Sequence, residues 1–231
     1  MREISLDTET TGLSPKSGDR VVEIGCVELI NHIATDKVFH VYINPERDMP
    51  DGAFKVHGLS EEFLRGHDIF AKIADEFLTF IGNDPLVIHN AQFDIGFLNA
   101  ELERLNKPKL EMSRTIDTVQ MARKKFPGAG ANLDALCRRF GIDNTERELH
   151  GALLDAKLLA DVYLELNGGR QTGFGLNDDQ NDQALNASSE TPPIYIEGQE
   201  KRPLRTFIPS DEELTSHQSF IDSLENPVWK V

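Results

Sequence analysis

Hydrophobic residues near the start of the chain occur in short runs separated by polar segments. The runs at residues 3–6, 20–30 and 37–43 are rich in Val, Ile and Phe, which are common in β-strands. No stretch with helical periodicity separates them. We therefore predict three sequential strands that form an antiparallel meander, with the first two as neighbours.

A fourth strand-like run, Leu86–His89, leads through Asn90 into a segment with helical periodicity. The apolar residues of this segment recur on one helix face, and they are Phe93, Phe97, Leu98, Leu102 and Leu105. Further helices are predicted for residues 119–125, 133–140 and 152–166. Alternating strands and helices are typical of an α/β fold.

The composition changes after Asn167. Residues 171–193 are rich in Asn, Asp, Gln, Ser and Gly and contain few apolar residues, so they cannot bury enough surface to form a core. We predict a folded domain at residues 1–168, a flexible linker at 169–200 and a tail at 201–231.

The tail carries the pattern of a short helix after an extended segment at Leu204–Ile208. Ser210 and Glu213 have the Ser-x-x-Glu spacing of a capping box. Apolar residues then recur roughly at helical spacing before Asn226-Pro227, where proline stops helices: Leu214, Phe220, Ile221 and Leu224. A single helix this short is marginal in water, so we expect its apolar side to bind a partner. The alternative is that it packs on the main domain.

The formal net charge of −15 over 231 residues argues against an extended basic surface for nucleic acid. Lysine and arginine side chains cluster at residues 123–125 and 138–139. They either contact phosphates or only keep the helix surfaces hydrated. Bound divalent ions or a partner protein would offset the overall negative charge.

Two cysteines, Cys26 and Cys137, are far apart and have no neighbouring ligands at zinc spacing. Neither a disulfide framework nor a zinc site is expected. The N-terminus shows no signal sequence, and no run approaches the roughly 18 apolar residues of a membrane span. These features favour a cytoplasmic protein with no membrane contact.

Acidic residues near strand ends predict a metal site. Asp7 and Glu9 are two residues apart on a strand, so both side chains project to the same face. Gly12 follows and permits a tight turn with close approach of a ligand. Acidic residues at strand ends usually only meet solvent, so this motif alone is weak.

Two further acids lie in predicted helices. Asp94 is in a first turn between apolar residues, where it could simply stabilise the helix dipole. Asp155 is in an apolar helix face, where a charge requires a partner. Four carboxylates resist ionising together unless divalent cations compensate them, so the set predicts a metal-dependent nuclease site.

His150 precedes Gly151 in a predicted loop before the last helix of the domain. Because imidazole titrates at about pH 6.5, it suits a general base that takes a proton from water. The alternative is an ordinary loop histidine. His89, at a strand end, is expected to have a structural role.

The ordered motifs resemble the DEDDh family of 3′→5′ exonucleases. The motifs are DTETTG at residues 7–12, HNAQFD at 89–94 and HGALLD at 150–155, and the similarity continues at 39–42, 53–58 and 132–137. Three motifs in this order are highly specific. Within the family, the chain resembles the proofreading subunits of bacterial replicative DNA polymerases over nearly its whole length.

This resemblance implies an RNase H-like fold, a mixed sheet flanked by helices, with an exonuclease domain at residues 1–168. It implies two divalent ions, Mg²⁺ or Mn²⁺, bound by Asp7, Glu9, Asp94 and Asp155, with His150 as the base. In two-metal hydrolysis one ion activates the water and the other stabilises the leaving 3′ oxygen, so the product is a nucleoside 5′-monophosphate.

The resemblance also implies substrate contacts. Residues Thr10, Thr11 and Leu13 would line the terminal nucleotide of a single-stranded or frayed DNA 3′ end, His57 would approach it, and Asp7, Glu9 and Asp155 would also contact substrate. Members of this branch tend to have an acid just before Ala53-Phe54, whereas this chain has Gly52, with Asp51 one position earlier.

Two protein partners are implied for the C-terminal part. Residues 171–176 resemble a clamp-binding hexapeptide, with Gln171, Phe174 and Leu176 as the expected contacts with the sliding clamp. The tail at 201–231 resembles the segment that binds the alpha subunit of the polymerase.

Two other functions remain possible at this stage. One is an RNA exonuclease of the same superfamily, similar to oligoribonuclease or RNase T. The other is a chiefly structural polymerase subunit. The long linker and capped tail favour the polymerase subunit, and the full set of acids with His150 argues against an inactive site.

Overall fold

The computed structural model describes residues 1–145, 149–169 and 209–223. The chain divides into two units, Met1–Asp178 and Asp179–Val231. In the first unit the strands are β1 (Arg2–Thr10), β2 (Val21–Ile30), β3 (Ile33–Tyr42), β4 (Leu86–Ile88) and β5 (Thr115–Asp117). Its helices are α1 (Asp51–His57), α2 (Glu61–Arg65), α3 (Phe70–Ile81), α4 (Ala91–Arg104), α5 (Thr118–Lys125), α6 (Leu133–Phe140) and α7 (Ala152–Leu166). The second unit contains α8 (Asp211–Asp222).

The described strands form one mixed sheet in the order β3-β2-β1-β4-β5. Strands β1, β2 and β3 pair antiparallel, which confirms the predicted meander. Strands β4 and β5 add in parallel to β1. Consequently β1 lies at the centre, and the carboxyl ends of β1, β4 and β5 meet at one edge of the sheet.

Helices cover both faces of the sheet. Ile4 and Leu6 of β1 pack with the buried faces of α3 and α4. On the other face, Val27 and Leu29 of β2 and Val87 of β4 pack with α5, α6 and α7. Because side chains alternate along a strand, successive residues of β1 contribute to different helix layers.

Most predicted elements of the first unit are confirmed. The helices at 119–125, 133–140 and 152–166 agree with α5, α6 and α7 to within one residue. Helices α1, α2 and α3 and strand β5 were not predicted. Helix α3 does bury residues at helical spacing, including Phe70, Ile73, Ala74 and Phe77, whereas β5 is three half-buried residues without a periodic signal.

In the second unit, the predicted capping box is confirmed. The Ser210 hydroxyl accepts from the Glu213 backbone N–H, and the Glu213 carboxylate accepts from the Ser210 N–H. The predicted extended segment at residues 204–208, the core of the linker at 171–193 and Leu224 lie outside the described residues.

Both cysteines are buried, and within the described part of the chain neither forms a disulfide. Burial raises the pKa of Cys26 far above its usual range. Among the helices that the structure describes, none is long and apolar enough to cross a membrane.

Candidate active site

The carboxyl-terminal half of β1 presents acidic side chains toward α7. Ser5 identifies this face, because its hydroxyl donates to the Ala156 carbonyl of α7 at 2.7 Å. Asp7 and Glu9 follow at intervals of two and therefore face the same side. Glu9 is buried and Asp7 is half-buried.

Gly25 allows α7 to lie directly against the strands. It is the Cα partner of Asp7 in the neighbouring strand β2. A Cβ at Gly25 would lie 2.3 Å from backbone atoms of Ala152 and Leu153, a distance that no side chain could tolerate. The missing side chain thus brings the first turn of α7, with Asp155, close to the acids of β1.

Glu9, Asp155 and His150 form a compact group of possible metal ligands. One ligand atom from each residue lies within 4.8 Å of the other two. Nδ1 of His150 lies 3.3 Å from Oδ2 of Asp155. The carboxylates of Glu9 and Asp155 are buried, whereas 48% of the His150 side chain is exposed, so the imidazole borders solvent.

The segment that carries His150 contacts the last turn of α1. The backbone N–H of His150 donates to the Val56 carbonyl at 3.1 Å. Next to it, Leu149 covers Gly58, where a Cβ would lie 2.6 Å from Leu149 Cδ1. Gly58 has φ of +72°, a conformation that glycine adopts without strain.

Asp94 approaches from the opposite helix layer and is held by Thr8. Its Oδ1 accepts from the Thr8 backbone N–H at 3.1 Å and from the Thr8 hydroxyl at 2.7 Å. Thr8 lies between Asp7 and Glu9, so Asp94 is fixed beside the acidic segment of β1, although it is not part of the described three-residue group.

The environment of Asp94 disfavours its charge. Burial, with a smaller contribution from the charge of Asp117, raises the pKa of Asp94 to about 7, although the hydrogen bonds from Thr8 oppose the shift. A bound cation would reverse this balance. The carboxylate oxygens gathered here are the ligands that Mg²⁺ and Mn²⁺ prefer, whereas an imidazole is a ligand more typical of other metals.

Of the residues expected to contact a nucleotide, Glu9, Thr10, Thr11, Leu13 and His57 line one cavity of about 480 Å³, whereas Asp7 and Asp155 do not line it. We call it the nucleotide cavity. It is lined by Thr8, Glu9, Thr10, Thr11, Gly12, Leu13, Pro50, Gly52, Ala53, Val56, His57 and Phe93. Its walls are chiefly apolar, while Glu9 connects it to the three-residue group.

His57 lines this cavity with a buried, neutral imidazole. Its Nδ1 accepts from the Leu59 backbone N–H at 3.0 Å, so the neutral ring carries its proton on Nε2. Nε2 is buried with no hydrogen-bond partner in the described part of the chain. Burial lowers the pKa of His57, which keeps the ring neutral.

Hydrogen bonds hold the loop after β1 in position. Thr11 and Arg20 exchange hydrogen bonds, from the Thr11 N–H to the Arg20 carbonyl at 2.9 Å and from the Arg20 N–H to the Thr11 hydroxyl at 3.0 Å. The Arg20 guanidinium also donates to both carboxylate oxygens of the buried Glu101 in α4. The wall of the nucleotide cavity is therefore tied to the helix that carries Asp94.

The position that differs from the family pattern, Gly52, also lines the nucleotide cavity. A Cβ there would meet nothing within 4 Å, so the wall is open at this point. The neighbouring Asp51 is exposed in the first turn of α1.

His89 bonds close to the strand end, as predicted. Its Nδ1 lies 2.9 Å from the Thr118 hydroxyl, which joins β4 to the first turn of α5. The clamp-motif residues Gln171, Phe174 and Leu176 lie outside the described residues.

Sequence reasoning missed Thr8 and Gly25. Gly25 did leave a signal, because a glycine inside a strand of Val and Ile often marks the close approach of another backbone. Thr8 left none, since a threonine in a strand is common and its partner, Asp94, is 86 residues away.

Comparison with known families agrees with this geometry. The RNase T family, described as exonuclease, matches residues 4–163. DNA polymerase III subunit epsilon of Rickettsia felis is 50% identical over 230 residues, with 97% of each chain covered. The subunit of the same name from Escherichia coli is 42% identical over 232 residues, covering 97% of this chain and 93% of the relative.

Solved structures show the same fold. The nuclease domain of 3′hExo, a DEDDh family member bound to rAMP, has a TM-score of 0.62 at 19% identity and covers 72% of this chain and 92% of that chain. Exonuclease X in complex with 5′ overhanging duplex DNA has a TM-score of 0.55 at 26% identity, covering 72% and 90%. The expected RNase H-like exonuclease fold is confirmed. The chain therefore belongs to the RNase T exonuclease family and, within it, to the DNA polymerase III epsilon subunits, which are 3′→5′ exonucleases.

Proposed function

We propose that this protein is the proofreading subunit of a bacterial DNA polymerase III and releases mispaired 3′-terminal nucleotides as 5′-monophosphates. The observation that carries the proposal is the group of Glu9, Asp155 and His150 beside a cavity of about 480 Å³. Glu9 belongs to both features, so a nucleotide in the cavity would have its phosphate next to the group.

In this proposal Asp7, Glu9, Asp94 and Asp155 hold two divalent ions, Mg²⁺ or Mn²⁺. When bound, such ions supply Lewis-acid activation of water and charge stabilisation at the leaving 3′ oxygen. The buried position of Asp94 and its raised pKa support this assignment, because an ionised carboxylate there requires a compensating cation.

His150 acts as the general base. With Nδ1 directed at Asp155, Nε2 is the nitrogen that accepts a proton from the attacking water. The partly exposed ring can deliver this proton to solvent after each cycle. Asp155 thereby has a second role, since its carboxylate orients the imidazole and stabilises the protonated form.

The nucleotide cavity receives the terminal nucleotide. Leu13 and Phe93 provide apolar surface for the base and sugar, and His57 lines the same cavity beside them. Selection for mismatches follows from fraying, because an unpaired end enters a single-strand site at lower cost.

The decisive experiment is degradation of a 3′-mismatched primer-template and of a single-stranded RNA by the purified chain with Mg²⁺ or Mn²⁺. Asp7→Ala and His150→Ala should abolish the metal-dependent release of 5′-mononucleotides from DNA. Glu62→Ala, which removes an acid from exposed α2, is the matched control and should retain activity. Preference for RNA would support the RNA exonuclease instead, and no cleavage would support a structural subunit.

We also propose that residues 201–231 bind the alpha subunit of the polymerase. Helix α8 supports this, because its described surface exposes Leu214 by 51% and Phe220 by 59%. Truncation after Asn167 should abolish co-elution with the alpha subunit and retain nuclease activity. A complex that survives the truncation would contradict this role of the tail.

A clamp contact at residues 171–176 is proposed from the sequence alone, with Gln171, Phe174 and Leu176 as the contacts. Deleting these six residues should weaken binding to the sliding clamp in surface plasmon resonance while nuclease activity persists. Unchanged clamp affinity would remove this proposal.

A further inference from the structure

A second cavity lies at the carboxyl ends of β4 and β5. Its volume is about 750 Å³, and polar side chains dominate its lining. Those that carry the argument are Gln92, Asp117, Gln120, Arg123 and Asn132. None of these residues contributes to the nucleotide cavity.

The two cavities adjoin the same edge of the sheet. Strands β1, β4 and β5 run parallel, with Leu6 opposite Ile88 and Ile88 opposite Asp117. The first turn of α4 lies between the cavities, because Gln92 lines the second and Phe93 lines the nucleotide cavity. Asp94 follows directly in the same turn, so both cavities adjoin the turn that carries this acid.

Arg123 is the cation of the 123–125 cluster that lines this cavity. Lys125 makes contacts of its own, because its Nζ donates to the carbonyls of Glu165 and Leu166 at the end of α7. Among the described residues, no ion pair includes Arg123. Arg123 therefore places a positive charge near acidic residues in a chain whose net charge is −15.

The arginines of the second cation cluster, at residues 138–139, also make other contacts. Arg139 stacks on Phe126 with its guanidinium carbon 4.5 Å from the ring centre, and Arg138 donates to the Asp134 carbonyl in its own helix. The structure therefore separates Arg123 from the other candidate phosphate contacts in the sequence.

Asp117, the acid that lines the second cavity, already accepts several hydrogen bonds. Its carboxylate accepts from the backbone N–H groups of Asn90, Ala91, Val119 and Gln120 at 2.9–3.4 Å. It caps the N-terminus of α5, whose dipole also offsets the charge. Its presence is therefore compatible with an anion held by Arg123.

Amide donors complete the lining. The Asn132 side-chain oxygen accepts from the Ala135 N–H as the cap of α6, which directs its NH₂ group to other partners. Gln92 supplies a further amide, whereas the Gln120 amide already donates one long hydrogen bond to Asp117 at 3.5 Å and has a second N–H left for a ligand. Arginine with several amides is the chemistry that binds phosphodiester oxygens without reading bases.

We propose that this second cavity binds the phosphodiester backbone of the nucleotides upstream of the scissile bond, with Arg123 paired to a phosphate. The assignment rests on the proposed nuclease function, which requires the strand to continue past the acids once its terminal nucleotide is in the nucleotide cavity. Binding here holds a single strand of several nucleotides and does not contribute to a mononucleotide substrate.

The test compares two substrates in Mn²⁺. A p-nitrophenyl ester of thymidine 5′-monophosphate has no upstream phosphodiester, whereas a single-stranded DNA octamer has several. Arg123→Gln should lower the ratio of octamer to ester kcat/KM by about 10-fold, as expected for one charge-assisted hydrogen bond. The slope of log(kcat/KM) against log salt for the octamer should become shallower by about 0.7.

Arg123→Lys should recover part of the ratio, because it retains the charge without the planar fork. Lys124→Gln is the matched control, since it removes a neighbouring exposed cation that does not line the cavity. An unchanged ratio in Arg123→Gln would overturn the proposal, as would an equal loss on both substrates in a protein of wild-type Tm. If the wild-type chain cleaved neither substrate, the proposed nuclease function itself would fail.

Discussion

Thr8 donates two hydrogen bonds to the same carboxylate oxygen of Asp94, one from its backbone and one from its hydroxyl. These bonds join the central strand to the helix that carries the fourth acid. They also favour the ionised carboxylate in a buried position that otherwise disfavours charge. In the proposed metal site, Thr8 would therefore support Asp94 as a ligand without being one itself.

Thr8→Val should raise the Mg²⁺ concentration needed for half-maximal activity several-fold, because Asp94 loses one of the two bonds and its charged form becomes less favourable. Thr8→Ser retains the hydroxyl and should behave like the wild type. Metal titrations of mononucleotide-ester hydrolysis measure the difference. Equal half-saturation in the valine variant would contradict the role given to this hydroxyl.

The pKa of Asp94 also predicts how the metal-free protein responds to pH. The carboxyl group is protonated in both folded and unfolded chains well below pH 3.8, its ordinary pKa. Between there and about pH 7 the folded chain keeps a proton that the unfolded chain has lost. The contribution of this group to the free energy of unfolding therefore falls as pH rises through that window.

This prediction is tested by thermal unfolding of the wild type and of Asp94→Asn, each in the presence of a chelator, from pH 4 to 8. The variant should gain stability relative to the wild type as pH rises, because it has no carboxylate to bury. Added Mn²⁺ should stabilise the wild type at pH 8 more than the variant. Parallel Tm curves in chelator would show that Asp94 does not titrate in this range.

Gly25→Ala should destabilise the protein by about 3 kcal/mol, because the added methyl group overlaps the backbone of α7. Urea unfolding measures this loss. Gly96→Ala is the control, since a Cβ at Gly96 in α4 meets nothing within 4 Å, and it should leave stability unchanged or slightly raise it. Wild-type stability in Gly25→Ala would mean that α7 can move away from the sheet at little cost.

Leu149→Ala should lower kcat by about 10-fold or more while KM stays within about 2-fold, because the segment bearing His150 loses its contact over Gly58 and the base is displaced. Leu149→Met should recover most of the rate. Ile33→Ala is the matched control, with 51% exposure against 52% for Leu149. Stopped-flow hydrolysis of the ester separates the two constants, and a pure KM effect would assign Leu149 to substrate binding instead.

The fold and the site were predictable from the sequence to different extents. The meander, α4 and α7 were predictable because their apolar residues recur at strand or helix spacing. Asp7, Glu9, Asp94, Asp155 and His150 were recognisable as ordered motifs. The resemblance implied four acidic metal ligands with His150 as a separate base, whereas the compact group in the structure is Glu9, Asp155 and His150.

The supporting contacts were not predictable, because they depend on pairs far apart in the chain. Arg20 and Glu101, 81 residues apart, are ordinary charged residues in the sequence, and only the packed fold makes them partners. The same holds for Leu149 and Gly58. Arg123 was one of several cations, and only the positions of its neighbours distinguish it.

The central position of β1 has a consequence for the order of events during synthesis. Strand β1 is made before the other elements of the first unit, whereas α7, which supplies Asp155 and packs along β1, is made after them. A nascent chain that stops before residue 150 therefore lacks both Asp155 and His150. With the roles proposed for these residues, the site is complete only when the first unit is almost fully synthesised.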